Sequence, residues 1–455
     1  MTRVRARTHR RRGFGKIQRD VLAAMDEALA AANPARIIRR HLRLTGQLLR
    51  ADAFRFRLKE YRKIFVIGGG KASGHMAEAV EKLLGKWITR GLVIIPDYLR
   101  PRPQGHRIKY RAATHPIPTH KGMASVLEML DLIGDVSRDD MVIVLLSGGA
   151  SALMPLPAQG MSLRDEARVT ALLLKSGAGI EEINTVRKHL SQLKGGRLAA
   201  RLYPATVLSL IISDVVGDRI DAIASGPTAP DPTTYYDAKQ VLQKYHLWSR
   251  IPDRARKVIT DGLAGSIPDT PKRRDRAFRQ VRNLIVGDNR ESCLAAAEAM
   301  KKAGYRTQTL SIQIAGEARD AGRVFGAIAR DIQDDLPFAS RAALVAGGET
   351  TVTVRGRGKG GRNQELVLAA AAKIDGSDGI VVGSFATDGI EGRTNAAGAL
   401  ADGRTVKRGL RLGMHPEQYL RNNDSYHYFL RLKDLVITGP TGTNVNDVMI
   451  LAAGG

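Results

Sequence analysis

The stretch Gly347-Gly-Glu-Thr-Thr-Val-Thr-Val354, followed by Gly356-Arg-Gly-Lys-Gly-Gly-Arg-Asn-Gln-Glu365 and an apolar run from Leu366, reads as a strand, a glycine-rich loop and a helix start. Gly356, Gly358, Gly360 and Gly361 let backbone N–H groups approach an anion closely, Arg357, Lys359 and Arg362 supply positive charge, and the helix adds its N-terminal dipole. The loop is therefore expected to hold phosphate or carboxylate, against the blander reading of a basic hairpin tip. Working outward, the same alternation recurs. Strands are expected at 63–67, 91–96, 141–146 and 205–213, and helices at 18–49, 75–84, 121–133 and 163–175. A basic, proline-bearing segment at 251–280 interrupts the rhythm, which restarts with strands at 283–286, 306–310, 342–346, 351–354, 379–384 and 434–438. This order predicts an α/β fold of two α/β domains with largely parallel, Rossmann-like sheets.

At 455 residues the chain is too long for one ordinary core and fits two or three domains. The single cysteine, Cys293, excludes an internal disulfide framework and a multi-cysteine zinc site, and its alanine-rich helical setting predicts a small buried thiol. The longest uncharged stretch, 141–163, carries Gly148, Gly149, Pro155 and Pro157 and cannot form one continuous apolar helix, so no membrane partner and a cytoplasmic location are expected. A net charge of +26 brings nucleic acid into consideration. Against it, aromatic residues are only 5% of the chain and the basic clusters fall beside turns and on polar helix faces; a field attracting small anionic substrates, or simply an arginine-rich genome, explains the same balance. The arginine-rich start is expected to be a disordered basic tail over residues 1–16.

Five more strand ends carry candidate chemistry. Gly68-Gly-Gly-Lys71 is not a Walker A loop, though Gly68-x-Gly70-x-x-Ser73 approximates a dinucleotide fingerprint with Asp97 as a distant acidic candidate. Gly69 and Gly70 permit close backbone approach, and Lys71 places a compact cation where ligands bind in open α/β sheets. In Ser147-Gly-Gly-Ala-Ser-Ala-Leu153, Gly148 and Gly149 allow close approach while Ser147 and Ser151 offer hydroxyls to phosphate oxygens. Asp214-Val-Val-Gly-Asp218 puts carboxylates at a strand end, which suggests Mg²⁺ or another divalent cation, with a capping turn as the equal alternative for Asp218. Ala386-Thr-Asp388-Gly-Ile-Glu391 and Thr438-Gly-Pro-Thr-Gly-Thr-Asn444-Val-Asn-Asp447 repeat the theme.

Taken in order, Gly68-Gly-Gly-Lys71, His115-Pro-Ile-Pro118, Ser147-Gly-Gly, Asn184-x-Val-Arg187-Lys-His189, Lys194-Gly-Gly, Ser225-Gly-Pro227, Gly347-Gly-Glu349-Thr, Gly361-Arg362-Asn-Gln-Glu365, Thr387-Asp388-Gly and Thr441-Gly-Thr-Asn444 resemble the type II glycerate kinases, the glycerate 2-kinase family with a C-terminal MOFRL domain. The likeness spans residues 17–453, departing at Ala150, at Arg290 and in the basic N-terminus. It implies a kinase domain at 17–245, a boundary segment at 246–280, a MOFRL domain at 281–455, and an interdomain cleft. It also implies ATP-dependent phosphorylation of D-glycerate to 2-phosphoglycerate with a divalent ion; no nucleic-acid partner is expected from the composition, and a homodimer and a monomer both stay open. Lys71 and Arg362 would stabilise the transition state, while Asp214, Glu349 and Asp388 share metal binding and base duties. Gly69, Gly70, Ser147, Gly148, Gly149, Glu349, Gly361 and Asn444 would hold the nucleotide. The alternative is an NAD(P)H-dependent hydroxypyruvate reductase.

Overall fold

The computed structural model describes residues 7–8, 15–99, 102–333 and 341–454. The expected disordered tail lies mostly outside the described residues; Arg7 and Thr8 pair antiparallel with Ile437 and Val436. The chain then enters helix α1 (Lys16–Ala31). The helix expected over 18–49 is not continuous: Asn33 accepts the N–H groups of Ala35 and Arg36 through its side chain, and Pro34 opens a new helix, Pro34–His41. From Leu42 the chain forms an antiparallel meander of Leu42–Thr45, Leu48–Ala51 and Phe54–Arg57.

Two compact units follow from the contacts, residues 37–286 and residues 1–36 with 287–455. In the first, strands β1 (Lys63–Gly69), β2 (Arg90–Pro96), β3 (Ile108–Ala113), β4 (Asp140–Leu146), β5 (Thr206–Ile212) and β6 (Val281–Gly287) form one sheet in the order β6-β5-β4-β1-β2-β3. The β5–β4, β4–β1, β1–β2 and β2–β3 pairings are all parallel. Every residue of β4 is buried, as both faces of a covered parallel sheet require. Helix α2 (Ser73–Leu84) follows β1, and α3 (Ile180–His189) packs in a second apolar cluster through Ile183 and Val186.

Two sequence-derived boundaries shift. Strand β6, expected to open the second domain, is the edge strand of the first sheet, beside β5. The segment expected as a boundary folds into the first unit: Ile251, Ala255, Val258 and Ile259 are buried beside Leu242 and Leu247, at a helical spacing that the surrounding arginines and lysines mask.

In the second unit, helix α4 (Asn289–Lys302) packs against α1, burying Val21, Ala24, Met25 and Ala28 with Cys293, Ala296, Ala297 and Met300. Helix α1 thus belongs with the C-terminal half of the chain, not with the domain that follows it in sequence. Strands β7 (Arg306–Ile314), β8 (Ala342–Gly348), β9 (Ile380–Ala386), β10 (Gly398–Asp402), β11 (Leu435–Ile437) and β12 (Asp447–Ala453) form a sheet in the order β11-β10-β9-β12-β8-β7, with Arg7–Thr8 outside β11. Only β7–β8 is parallel; β8–β12, β12–β9, β9–β10 and β10–β11 are antiparallel. The expectation of a largely parallel sheet therefore holds for the first unit and is corrected to a mixed sheet in the second. The cause is β12, a buried C-terminal strand that inserts between β8 and β9.

Candidate active site

In the first unit, three of the expected loops leave one edge of the sheet. Strands β1, β4 and β5 are parallel neighbours, with Gly69 level with Leu146 and Leu146 level with Ile211, so Lys71, the Ser147 loop and Asp214 all follow carboxyl ends. That is the edge at which open α/β sheets hold ligands. The first two loops are fastened together: Lys71 N–H donates to Gly148 O (2.8 Å), and Ala72 N–H donates to Ser147 Oγ (3.0 Å), which also lies 3.1 Å from Ser73 Oγ. The fully buried hydroxyl of Ser147 is thus engaged inside the protein. Gly70 is required here, because at φ +142 a Cβ would fall 2.2 Å from Ser147 Oγ. A Cβ on Gly149 (φ +82) would sit 3.0 Å from the His115 ring and 3.4 Å from Lys71 Cγ, which brings His115, Lys71 and Gly149 to one spot. The N–H groups of Gly148 and Gly149 enter none of the hydrogen bonds among the described residues.

Behind this edge, Ser151 Oγ lies 2.9 Å from Ser225 Oγ, which donates to Asn184 Oδ1 on α3 (3.1 Å). The following residues are a dense set of buried ions. Lys188 lies 3.3 Å from Asp231 and 3.5 Å from Asp221, and Lys194 lies 2.6 Å from Glu166. Burial lowers the Lys194 pKa, opposed by Glu166.

In the second unit, the inserted strand sets the geometry. Asp447, first residue of β12, is level with Gly348 on one side and Ala386 on the other, so Glu349, Asp388 and Asp447 share one sheet edge. Arg362 begins helix α5 (Arg362–Lys373) and grips Asp447 with two prongs, Nε to Oδ2 (2.5 Å) and Nη2 to Oδ1 (2.9 Å), while Nη1 reaches Glu349 Oε1 (2.8 Å). Burial works against the guanidinium charge, but Asp447 and then Glu349 outweigh it and raise its pKa. Asp447 is fully buried and its own pKa is raised by burial, opposed by Arg362.

The helix N-terminus expected to meet an external anion is already occupied by a carboxyl group from the chain. Buried Glu391 accepts the N–H groups of Asn363 and Gln364, the latter at 3.3 Å. Gly361 admits it, since a Cβ there would fall 2.2 Å from Glu391 Cγ. Burial and the charge of Asp447 push the Glu391 pKa well above the ordinary carboxylate value, against Arg362 and the two N–H groups.

The glycine-rich loop is likewise engaged. Arg355 and Gly356 N–H donate to Asn423 Oδ1 (2.8 and 2.9 Å), Arg357 N–H to Asn422 Oδ1 (3.0 Å), Gly358 N–H to Asn422 O (2.9 Å) and Lys359 N–H to Asp424 Oδ1 (2.8 Å). The amides of residues 355–359 therefore serve packing rather than an open anion cradle. The strand expected at 351–354 is reduced to one bridge, Thr351 with Glu317, because Thr353 N–H donates to the Glu317 carboxylate (3.1 Å). Asn444 Oδ1 accepts Asn446 N–H (3.3 Å), shaping the turn into β12. Cys293 is buried with its Sγ 3.1 Å from Asn289 Oδ1, and burial pushes its thiol up to about 12.

Lys71, the Gly148–Gly149 pair and Asp214 thus share one sheet edge, and Arg362, Glu349 and Asp388 share another. Sequence reasoning placed Glu391 and Asp447 within strand-end motifs but gave neither a role in the second group. The signal for Asp447 was the apolar run 448–453 immediately after it, which marks a buried strand; Glu391, in a turn, gives no comparable signal.

The family model described as "Domain of unknown function (DUF4147)" matches residues 20–260, and the MOFRL family model matches residues 342–447. A glycerate 2-kinase of Pyrococcus horikoshii is 40% identical over 436 residues, covering 94% of this chain and 96% of that protein. A protein of Agrobacterium vitis with a provisional hydroxypyruvate reductase name is 40% identical over 392 residues, covering 86% and 99%. Among solved structures, a glycerate kinase from Thermotoga maritima superposes with a TM-score of 0.83 at 38% identity, covering 96% of this chain and 99% of that one. With both domains in order and the P. horikoshii relative matched along almost its whole length, the chain belongs to the glycerate 2-kinase family, in which a DUF4147 domain precedes a MOFRL domain.

Proposed function

We propose that this protein transfers the terminal phosphoryl group of ATP to O2 of D-glycerate, releasing ADP and 2-phosphoglycerate. The observation that carries the reading is the end-to-end likeness to a named glycerate 2-kinase, joined to two sheet edges that each bring together a cation and carboxylate chemistry, Lys71 with Asp214 and Arg362 with Glu349 and Asp388. Phosphoryl transfer needs positioning and charge stabilisation more than covalent help. The O2–Pγ bond forms as the bond from Pγ to the β,γ-bridging oxygen breaks, that oxygen leaves on ADP, and the hydroxyl proton passes to a carboxylate. Lys71, with the amides of Gly148 and Gly149 close by, is assigned to the phosphates, and Asp214 on the same edge takes the proton. Within the second unit, Arg362 is a further candidate anion partner, since a phosphoryl oxygen can replace its single contact with Glu349 while Asp447 keeps its two-pronged hold.

Glu349, whose side chain is 42% exposed, and Asp388 fit the hard-oxygen chemistry of Mg²⁺, which takes one or two carboxylates alongside nucleotide phosphates and water. No cluster of three or more His, Cys, Asp or Glu suited to an ion occurs among the described residues. Bound there, it would neutralise charge on the phosphates.

The reductase alternative needs a dinucleotide pyrophosphate on the first strand-to-helix turn. There, Gly70, Lys71 and Ala72 already donate their N–H groups to Ile94 O, Gly148 O and Ser147 Oγ. The test is ADP release from ATP and Mg²⁺ with and without D-glycerate, beside NADH oxidation with hydroxypyruvate. Glycerate-dependent ADP is expected; NADH oxidation without it would overturn the proposal.

A further inference from the structure

We propose that Arg187 on α3 binds the carboxylate of the three-carbon hydroxy acid, an assignment that rests on the kinase reading above. Among the described residues Arg187 makes no hydrogen bond and no ion pair, and its Nε is buried without a partner. Native proteins rarely leave such a group unsatisfied, and an arginine fork matches a carboxylate in two-pronged fashion. Its neighbours in sequence do not share this condition. Lys188 has Asp221 and Asp231, His189 has Asp269 at 3.0 Å, and Lys194 has Glu166. Glu166 is the opposing charge that Arg187 feels, yet one Glu166 oxygen is held by Lys194 and the other has no hydrogen bond, so the two are not joined. Arg187 as a residue is half-buried rather than fully enclosed, which leaves it within reach of a small anion.

Its place in the fold agrees. Asn184 lies one turn before Arg187 on the same helix face. From Asn184 hydrogen bonds run through Ser225 to Ser151, which lies two residues beyond Gly149 in the loop whose Gly148 O accepts the Lys71 N–H. Ser225 occupies this relay with φ +60, between Ala224 at +55 and Gly226 at +62, and left-handed residues of this kind persist where the surroundings demand them. The acid's carboxylate would rest on Arg187, with the hydroxyl carbons lying along the serine relay toward Lys71.

The test compares wild type, Arg187→Gln and Arg187→Lys with D-glycerate, with the uncharged D-glyceramide, and with ATP as the varied substrate. For Arg187→Gln we expect KM for D-glycerate to rise about 30-fold or more, as loss of a charge-assisted pair implies. KM for ATP should stay within about 2-fold, the preference for glycerate over glyceramide should disappear, and Arg187→Lys should fall between. Because an unpaired buried cation burdens the fold, Arg187→Gln should melt no lower than wild type. An unmoved glycerate KM, an equal rise for ATP, or a misfolded or lower-melting Arg187→Gln would overturn the assignment while leaving the kinase reading intact. A wild type without glycerate-dependent turnover would overturn both.

Discussion

Asp447→Asn isolates the contact that holds Arg362 in place. The substitution keeps the side chain's volume but removes the charge facing two guanidinium prongs at 2.5 and 2.9 Å. Deleting one partner of a buried pair costs about 3–5 kcal/mol. Asp447 is fully buried, but Arg362 has 28% of its side chain exposed and retains Glu349, and the change also relieves repulsion on Glu391. The lower end, about 3 kcal/mol, is therefore expected. In a unit of roughly 200 residues that corresponds to a fall in Tm on the order of 6–12 °C. Turnover should fall by about 10- to 100-fold as Arg362 loses its alignment. Thermal unfolding and steady-state kinetics read both effects, and a double-mutant cycle with Arg362→Gln separates them from general damage. Once Arg362 is gone, Asp447 is itself the orphan, so the double variant should be more stable than the sum of the single losses by about 0.5–3 kcal/mol. Unchanged melting and turnover in Asp447→Asn, or strict additivity in the cycle, would refute the clamp.

Lys71→Ala should lower turnover by about 10² or more with little change in melting, and near-wild-type turnover would remove Lys71 from the chemistry. Gly70→Ala should fail to fold stably, because its Cβ would sit 2.2 Å from Ser147 Oγ and 2.6 Å from Ser147 O; soluble, fully active protein would contradict that packing. Glu391→Gln tests the buried carboxyl at the start of α5 through pH. A carboxyl with a raised folded pKa contributes stability that is fully present below the ordinary carboxylate range and is lost as pH rises through the folded value. The stability difference between Glu391→Gln and wild type should accordingly move in favour of the variant from about pH 5 upward, as chemical denaturation at several pH values would show. A constant difference would mean that Glu391 is not held in its neutral form.

Much of the fold could be read from residue order because buried parallel strands are short apolar runs. Lys63–Gly69, Asp140–Leu146 and Thr206–Ile212 each lie within two residues of their expected ends. Partnership was harder, since no local pattern says which sheet a strand joins. Thus Val281–Gly287 looked like the start of a second domain and completes the first sheet, while Lys16–Ala31 looked like the start of the first unit and packs on the second. At the candidate site, glycines and charges mark junctions that the structure brings to two sheet edges, yet their partners are distant in sequence. Nothing near Arg362 announces that Asp447, 85 residues on, will take two of its donors. Nor does the loop 355–359 show that Asn422, Asn423 and Asp424 will occupy its amides. Side chains that satisfy backbone donors over such separations are visible only in the folded chain.

The most direct measurement is the identity of the product. Purified protein with D-glycerate, ATP and Mg²⁺ is coupled through enolase and pyruvate kinase without phosphoglycerate mutase. We expect pyruvate that depends on glycerate, since enolase accepts only 2-phosphoglycerate. Pyruvate only after mutase is added would mean phosphorylation at O3, and its absence in both assays, with NADH consumed on hydroxypyruvate, would contradict the kinase assignment itself.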